Sequence, residues 1–208
     1  DEMITGFRWH KNGAQHVYDI EPDLSCFGKA LANGFALSAL AGKREIMEQG
    51  GIRGKRERVF LLSTTHGAET HALAAALAVM RIYDTEPVVE TLYARGERLR
   101  AGIGKVVSEL RLEKQFSLTG RPCCLFFNTA NAEGVPDPAF RTLFMQEMLA
   151  RGVLAPSFVT SYSHTEADID ATIDAVAESL AVYRKALEEG VGKYLVGPAV
   201  KSVYRRFA

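Results

Sequence analysis

The sequence predicts a mixed fold, α/β or α+β, and three observations carry that reading. Short runs rich in β-branched and aromatic residues alternate with longer runs whose apolar positions recur at helical spacing. One long run, residues 69–84 (ETHALAAALAVMRIYD), is dominated by alanine, the residue of highest helix propensity. The 208 residues are 47% hydrophobic and 24% charged, which suits one large folded domain or two small ones.

Taken in order, residues 1–20 read as extended or looped chain. Residues 23–27 and 37–41 (LSALA) are short strand candidates, and residues 43–49 (KREIMEQ) form a turn or two of helix. Residues 50–58 (GGIRGKRER) read as a solvated loop, because glycine and like charge both disfavour packing. Residues 58–65 (RVFLLSTT) are a strand ending in hydroxyls, just ahead of the alanine-rich helix. Pro87 then opens a second long helix over residues 88–110. Residues 116–128 read as strand, turn and strand, with the turn around Gly120-Arg121-Pro122. Asp137-Pro138 starts a helix that Gly152 stops. Residues 153–163 (VLAPSFVTSYS) are β-rich. Thr165 and Asp168 have the spacing of a capping box, with Asp replacing the usual Glu or Gln, and that helix runs to about Leu187 before Gly190. A basic tail follows. The composition breaks near residues 81–90 (RIYDTEPVVE), so the chain is expected to divide into residues 1–83 and 84–208.

Composition excludes several functions. Lys+Arg and Asp+Glu both number 25, so no net charge attracts nucleic acid or an anionic membrane, and neither is an expected partner. No apolar run approaches the roughly 20 residues that span a bilayer. Three cysteines, two of them adjacent, do not make a disulfide scaffold, and a reducing, cytoplasmic setting is expected. The opening DEMITGFRW reads as the continuation of a strand begun upstream, in a further half of the protein.

Lys29 poses the chemical question. It stands between a short apolar run and a glycine turn, in PDLSCFGKALANG. A lysine beside a turn is ordinarily a solvated charge. An amine among apolar residues and glycines can instead be desolvated and made nucleophilic, as a Schiff-base lysine requires. Pyridoxal phosphate chemistry needs such a lysine for the aldehyde, an acid against the pyridine nitrogen and donors for the phosphate. Asp1 offers the acid. Thr64 and Thr65 offer hydroxyls at a strand end just before a helix, where a phosphate binds well.

These segments resemble a known family. DEMITGFR, PDLSCFGKALANGFALSALAGKREIM, STTHGAETHALAAA and GVLAPSFVTSYSHTEADIDATIDA are similar to class III pyridoxal-phosphate aminotransferases. The likeness is nearest to glutamate-1-semialdehyde 2,1-aminomutase and its relatives in surface-polysaccharide gene clusters. The separation of 28 residues between Asp1 and Lys29 is shared with that group. The resemblance implies the type I pyridoxal-phosphate transferase fold, here its C-terminal half. Residues 1–83 would end the large cofactor-binding domain, and residues 84–208 would form the small C-terminal domain and tail. It implies that Lys29 forms the Schiff base, that Asp1 pairs with the pyridine nitrogen, and that Thr64 reaches the phosphate of the neighbouring subunit's cofactor, with Thr65 a second donor. Substrates would be a small amino donor and a carbonyl acceptor, handled by a homodimer with shared active sites. The rival activities are an intramolecular aminomutase and, for this half in isolation, a non-catalytic fragment.

The sequence departs from the family in two places. Residues 66–69 are His-Gly-Ala-Glu where many aminomutase relatives have an apolar residue and then Ser-Gly-Asn-Pro. Residues 157–165 (SFVTSYSHT) hold neither the arginine of many class III aminotransferases nor the glutamate of the aminomutase. The resemblance therefore names a cofactor and leaves the substrate open. Elsewhere, His66 and His71 do not share a helical face and no metal site is expected. His66 is a candidate to line the active site. His164 reads as structural, Trp9 as packing, Arg8 as a solvated charge and Cys123-Cys124 as buried core.

Overall fold

The computed structural model describes residues 1–51, 57–59, 65, 67 and 69–201. The chain divides into two compact units, Asp1–Thr91 and Leu92–Ala208.

The first unit opens with turns, into which a single helical turn, α1 (Ala14–Val17), is set. Strands β1 (Leu24–Phe27) and β2 (Ala39–Gly42) pair antiparallel, from Leu24 opposite Gly42 to Phe27 opposite Ala39. Both expected strands are present, the second starting two residues later than the apolar run suggested. A short helix, α2 (Arg44–Met47), follows β2. The alanine-rich run forms α3 (Thr70–Thr85). The expected loop and strand between α2 and α3 fall largely on residues 52–56 and 60–64, outside the described residues. Among the described residues, Leu31, Ala32 and Ala76 form a buried cluster of this unit, with Phe7, Phe27 and Leu37 packed against them. The Phe7 ring meets Phe27 and Tyr83 edge-on, and the Tyr83 hydroxyl donates to the Phe7 carbonyl.

The long helix α4 (Val88–Glu109) leads into the second unit. Strands β3 (Phe116–Arg121) and β4 (Cys124–Thr129) pair antiparallel, from Phe116 opposite Thr129 to Arg121 opposite Cys124. The ladder thus runs past Gly120 and Arg121, and the turn falls on Pro122-Cys123, later than the glycine suggested. Helix α4 presses on that turn. A Cβ on Gly96 would stand 1.9 Å from the Pro122 carbonyl oxygen, so only glycine fits there. Cys123 and Cys124 are buried, as expected.

Helices α5 (Pro138–Ala150) and α6 (Glu166–Glu189) cover one face of the hairpin. Asp137 caps α5, accepting from the Ala139 amide at 2.7 Å, and Pro138 occupies the first turn. Thr165 and Asp168 form the reciprocal capping box on α6. The rings of Phe116, Phe127, Phe144 and Phe158 cluster at the centre, Phe144 lying 4.8 Å from both Phe116 and Phe127. The buried Tyr183 hydroxyl lies 2.5 Å from the Ala130 carbonyl and 3.2 Å from that of Gln115, which satisfies its polar end.

Residues 153–163 correct the sequence reading. They form no strand and contribute one antiparallel bridge, Phe158 with Leu125. Several of their backbone groups bond side chains instead. Arg95 donates to the Ser161 and Tyr162 carbonyls, and the Ser161 amide donates to His164 Nδ1 at 3.2 Å. The Thr160 hydroxyl donates to the Leu92 carbonyl at 3.1 Å, and Pro156 has no N–H to give a ladder. After α6 the chain lies along α5, held by Gln146 to Tyr194 and Val196 and by Thr142 to Val200. Among the described residues no helix is long and apolar enough to cross a membrane.

Candidate active site

The first unit brings two of the expected site residues onto adjacent strands of chain. The Glu2 amide donates to the Cys26 carbonyl at 2.8 Å, which lays residues 1–3 beside β1. The Met3 thioether lies where a side chain on residue 28 would stand. Asp1 and Lys29 therefore flank a shared seam, although 28 positions separate them in the chain. The Asp1 carboxylate is oriented locally, its Oδ1 accepting from the Met3 amide at 2.9 Å. Both side chains are exposed at the surface of this unit.

Lys29 begins a short 3₁₀ turn, Lys29–Leu31, with φ of 47°. A non-glycine residue in that left-handed region costs about 1–2 kcal/mol. The surroundings hold it there. The Leu31 amide donates to the Gly28 carbonyl and the Asn33 amide to the Lys29 carbonyl, at 3.0 and 3.1 Å. Leu31 and Ala32 are buried against Ala76 of α3. Alanine on that helix lets the turn come close, which is the local reason for its small residues. The turn thus points an amine outward from a fixed base, the arrangement a covalent cofactor lysine needs.

The remaining expectations divide. Thr65 is exposed in a turn ahead of α3, while Thr64 and His66 lie outside the described residues. His71 pairs with Glu69 at 3.2 Å and its ring meets Phe35 edge-on. No cluster able to hold a metal is present among the described residues. His164 accepts from the Ser161 amide ahead of the α6 cap, a structural role. Trp9 packs against Tyr18.

Sequence reasoning missed Glu2. It is 5% exposed and accepts hydrogen bonds from the Ala14 and Gln15 amides, at 2.8 Å each, and from the Thr5 hydroxyl. Its position next to Asp1 was the only available signal, and a carboxylate is exposed by default.

The comparisons with known proteins supply the family. The family model for class III aminotransferases matches residues 1–193, and the chain belongs to that family. It is 32% identical over 194 residues to a glutamate-1-semialdehyde 2,1-aminomutase of Alkaliphilus metalliredigens, covering 88% of this chain and 43% of that protein. It is also 32% identical over 190 residues to a 3-aminobutyryl-CoA aminotransferase of Cloacimonas acidaminovorans, covering 90% of this chain and 44% of that protein. Among solved structures, the FumI protein of a Sphingopyxis species, in its PLP internal aldimine form, superposes with a TM-score of 0.78 at 28% identity, covering 90% of this chain and 43% of that one. An omega-transaminase of Sphaerobacter thermophilus shares the fold at a TM-score of 0.76 and 24% identity, covering 88% of this chain and 44% of that one. The fold is the type I transferase fold of these transaminases, and the chain spans less than half the length of the relatives it matches.

Proposed function

We propose that this chain supplies the catalytic lysine of a pyridoxal-phosphate-dependent aminotransferase. The supporting observation is that the Glu2 amide bonds the Cys26 carbonyl and Met3 abuts Gly28, which brings the chain at Asp1 beside the end of β1 where Lys29 follows, within a chain of class III family membership. The cofactor, when bound, supplies an aldehyde that takes up an amino group and a cationic ring that accepts electrons from the substrate Cα. Lys29 would hold the cofactor through its amine, and when free that amine would move a proton at the substrate Cα, as general base and then acid. Asp1 holds the proton on the ring nitrogen. Thr64 and Thr65 bind phosphate, and on this reading the phosphate belongs to the partner's cofactor in a cytoplasmic homodimer. Residues 1–83 then belong to the large cofactor-binding domain and residues 84–208 to the small domain. The substrates are a small amino donor and a carbonyl acceptor.

Borohydride reduction of the intact enzyme tests the central assignment. The cofactor should become fixed to the peptide holding Lys29, and Lys29→Ala should lose both that label and the visible absorption. A Lys29→Ala enzyme that keeps them overturns the assignment. Mixing Lys29→Ala with Thr64→Val subunits tests the shared sites. Shared sites put both lesions in one site of the mixed dimer and leave the other intact, so activity partly returns. A confirmed mixed dimer without recovery rejects the sharing.

The matched aminomutases support a second reading, in which both half-reactions act on one carbon skeleton. Turnover of glutamate-1-semialdehyde as the sole substrate distinguishes it from transfer between two molecules.

A further inference from the structure

Glu2 is a carboxylate in a place where carboxylates are costly. Burying a charge costs several kcal/mol unless its oxygens are well bonded. Here Oε2 accepts from the Ala14 amide and the Thr5 hydroxyl, and Oε1 accepts from the Gln15 amide. The Gln15 side chain in turn accepts from the buried Ser25 hydroxyl of β1 at 2.6 Å. Gly13 makes the room. A Cβ there would stand 2.4 Å from the Glu2 carboxylate, and the φ of 82° is one that glycine adopts without strain. Burial opposes ionisation, but the bonds from Thr5, Gln15 and Ala14 outweigh it and hold the Glu2 carboxyl below the ordinary glutamate value. The group is therefore charged and fixed across the neutral range.

This network joins three separate pieces of chain: residues 1–5, the start of α1 and β1. A helix of four residues does not by itself call for a buried charged anchor. What the anchor fixes is the seam on which Asp1 stands. Glu2 is bonded to β1 through its amide and to α1 through its side chain, so the backbone there is tied at two points. The Met3 amide is thereby held toward Asp1 Oδ1.

The geometry points to Glu2 as a positioning residue for Asp1: its buried carboxylate fixes the direction in which the Asp1 carboxylate meets the ring nitrogen of the cofactor. The inference rests on the reading of Asp1 given above. In Glu2→Gln one of the two accepting oxygens becomes an NH₂ group facing a backbone N–H, which loosens the seam while preserving side-chain size. Thr5→Val is milder, removing one donor and leaving the charge.

The test uses the intact enzyme loaded with cofactor carrying ¹⁵N at the ring nitrogen. The ¹⁵N chemical shift, followed against pH, reports the ring proton directly, and steady-state kinetics are measured alongside. In Glu2→Gln the ring nitrogen should lose its proton at lower pH than in the wild type. Its kcat should fall about tenfold, the equivalent of ~1.4 kcal/mol, with KM unchanged. Thr5→Val should move both readouts in the same direction by less. If both variants keep the wild-type ring-nitrogen titration, the inference is overturned, whatever happens to kcat, because a merely structural loss leaves the ring proton in place. Should Glu2→Gln not fold, Thr5→Val decides alone. Asp1→Asn, run in parallel, separates the two ideas. A ring nitrogen that stays protonated in Asp1→Asn overturns the reading of Asp1. A shifted titration there, with none in the Glu2 and Thr5 variants, leaves that reading standing and rejects only the role of Glu2.

Discussion

Among the described residues, the two units place their apolar side chains differently. In Leu92–Ala208 one continuous core of twenty buried described residues joins α4, the hairpin, α5 and α6. Among the described residues of Asp1–Thr91, Leu31, Ala32 and Ala76 form one buried cluster, and Ala72 and Val88 are buried as well. Helix α3 leaves Leu73, Leu77, Met80 and Ile82 exposed, and Leu24, Phe35 and Leu40 nearby are exposed as well. This first unit is the one that carries Lys29, Asp1 and Glu2. There, order comes from directed polar contacts: the bonds on Glu2, the Gln15–Ser25 pair and the backbone bonds around the Lys29 turn. Such contacts fix direction, while apolar burial supplies most of the free energy of folding. Chemistry and stability should therefore respond to different substitutions.

The strongest challenge to this division is Phe144→Ala. Phe144 is fully buried and touches Phe116, Phe127 and Phe158, so its removal should destabilise the second unit by about 3–5 kcal/mol in denaturant titration. A loss below about 1 kcal/mol would show that the aromatic cluster does not carry the stability of that unit.

Next in size is Asp1→Asn, which should act in the reverse sense. Turnover should fall at least about a hundredfold, the equivalent of ~2.7 kcal/mol, with the melting temperature of the enzyme unchanged. Equal damage to stability and turnover would dissolve the distinction between the units.

Thr165→Ala probes a directed contact inside the stable unit. Losing the hydroxyl that accepts from the Asp168 amide should cost about 1 kcal/mol, read from the urea midpoint, with turnover unaffected.

The smallest effect is one of pH. The backbone amide and hydroxyl of Thr165, at 2.7 and 2.8 Å, hold the Asp168 carboxyl below the ordinary aspartate value. A depressed folded-state value adds stability above the unfolded-state value, and that stability is lost as pH falls through the folded one. Melting temperatures of wild type and Asp168→Asn should therefore differ at neutral pH and converge in acid. A gap that widens on acidification would contradict the assignment of that charge to the cap.

Legibility followed the same line between local and non-local physics. The long helices were readable because propensity, periodicity and end signals act within one segment: alanine in α3, Pro87 ahead of α4, Asp137-Pro138 ahead of α5, and Thr165 with Asp168 at α6. The hairpin was readable but its turn was not. Gly120 marked a turn by composition, while the approach of α4 at Gly96 accompanies a turn on Pro122-Cys123. Residues 153–163 misled for a related reason. Their β-rich composition describes how each residue fits a pleat, and Arg95, distant in sequence, claims the carbonyls that a ladder would have used.

In the candidate site, the sequence by itself determined the chemical kinds: an amine at Lys29 next to glycine, a carboxylate at Asp1, hydroxyls at Thr64 and Thr65, and the motif set that carries the family. Those are properties of side chains and spacing, and they need no coordinates. Only the tertiary structure decided that Asp1 and Lys29 share a seam, that Lys29 adopts a left-handed turn over Ala76, and that Glu2 is buried with three donors while Asp1 beside it is exposed. Two adjacent acidic residues are alike as sequence. They differ because the Ala14 and Gln15 amides at the start of α1 and the Thr5 hydroxyl close around Glu2, while Asp1 bonds the nearby Met3 amide, and that enclosure is made by chain distant in sequence.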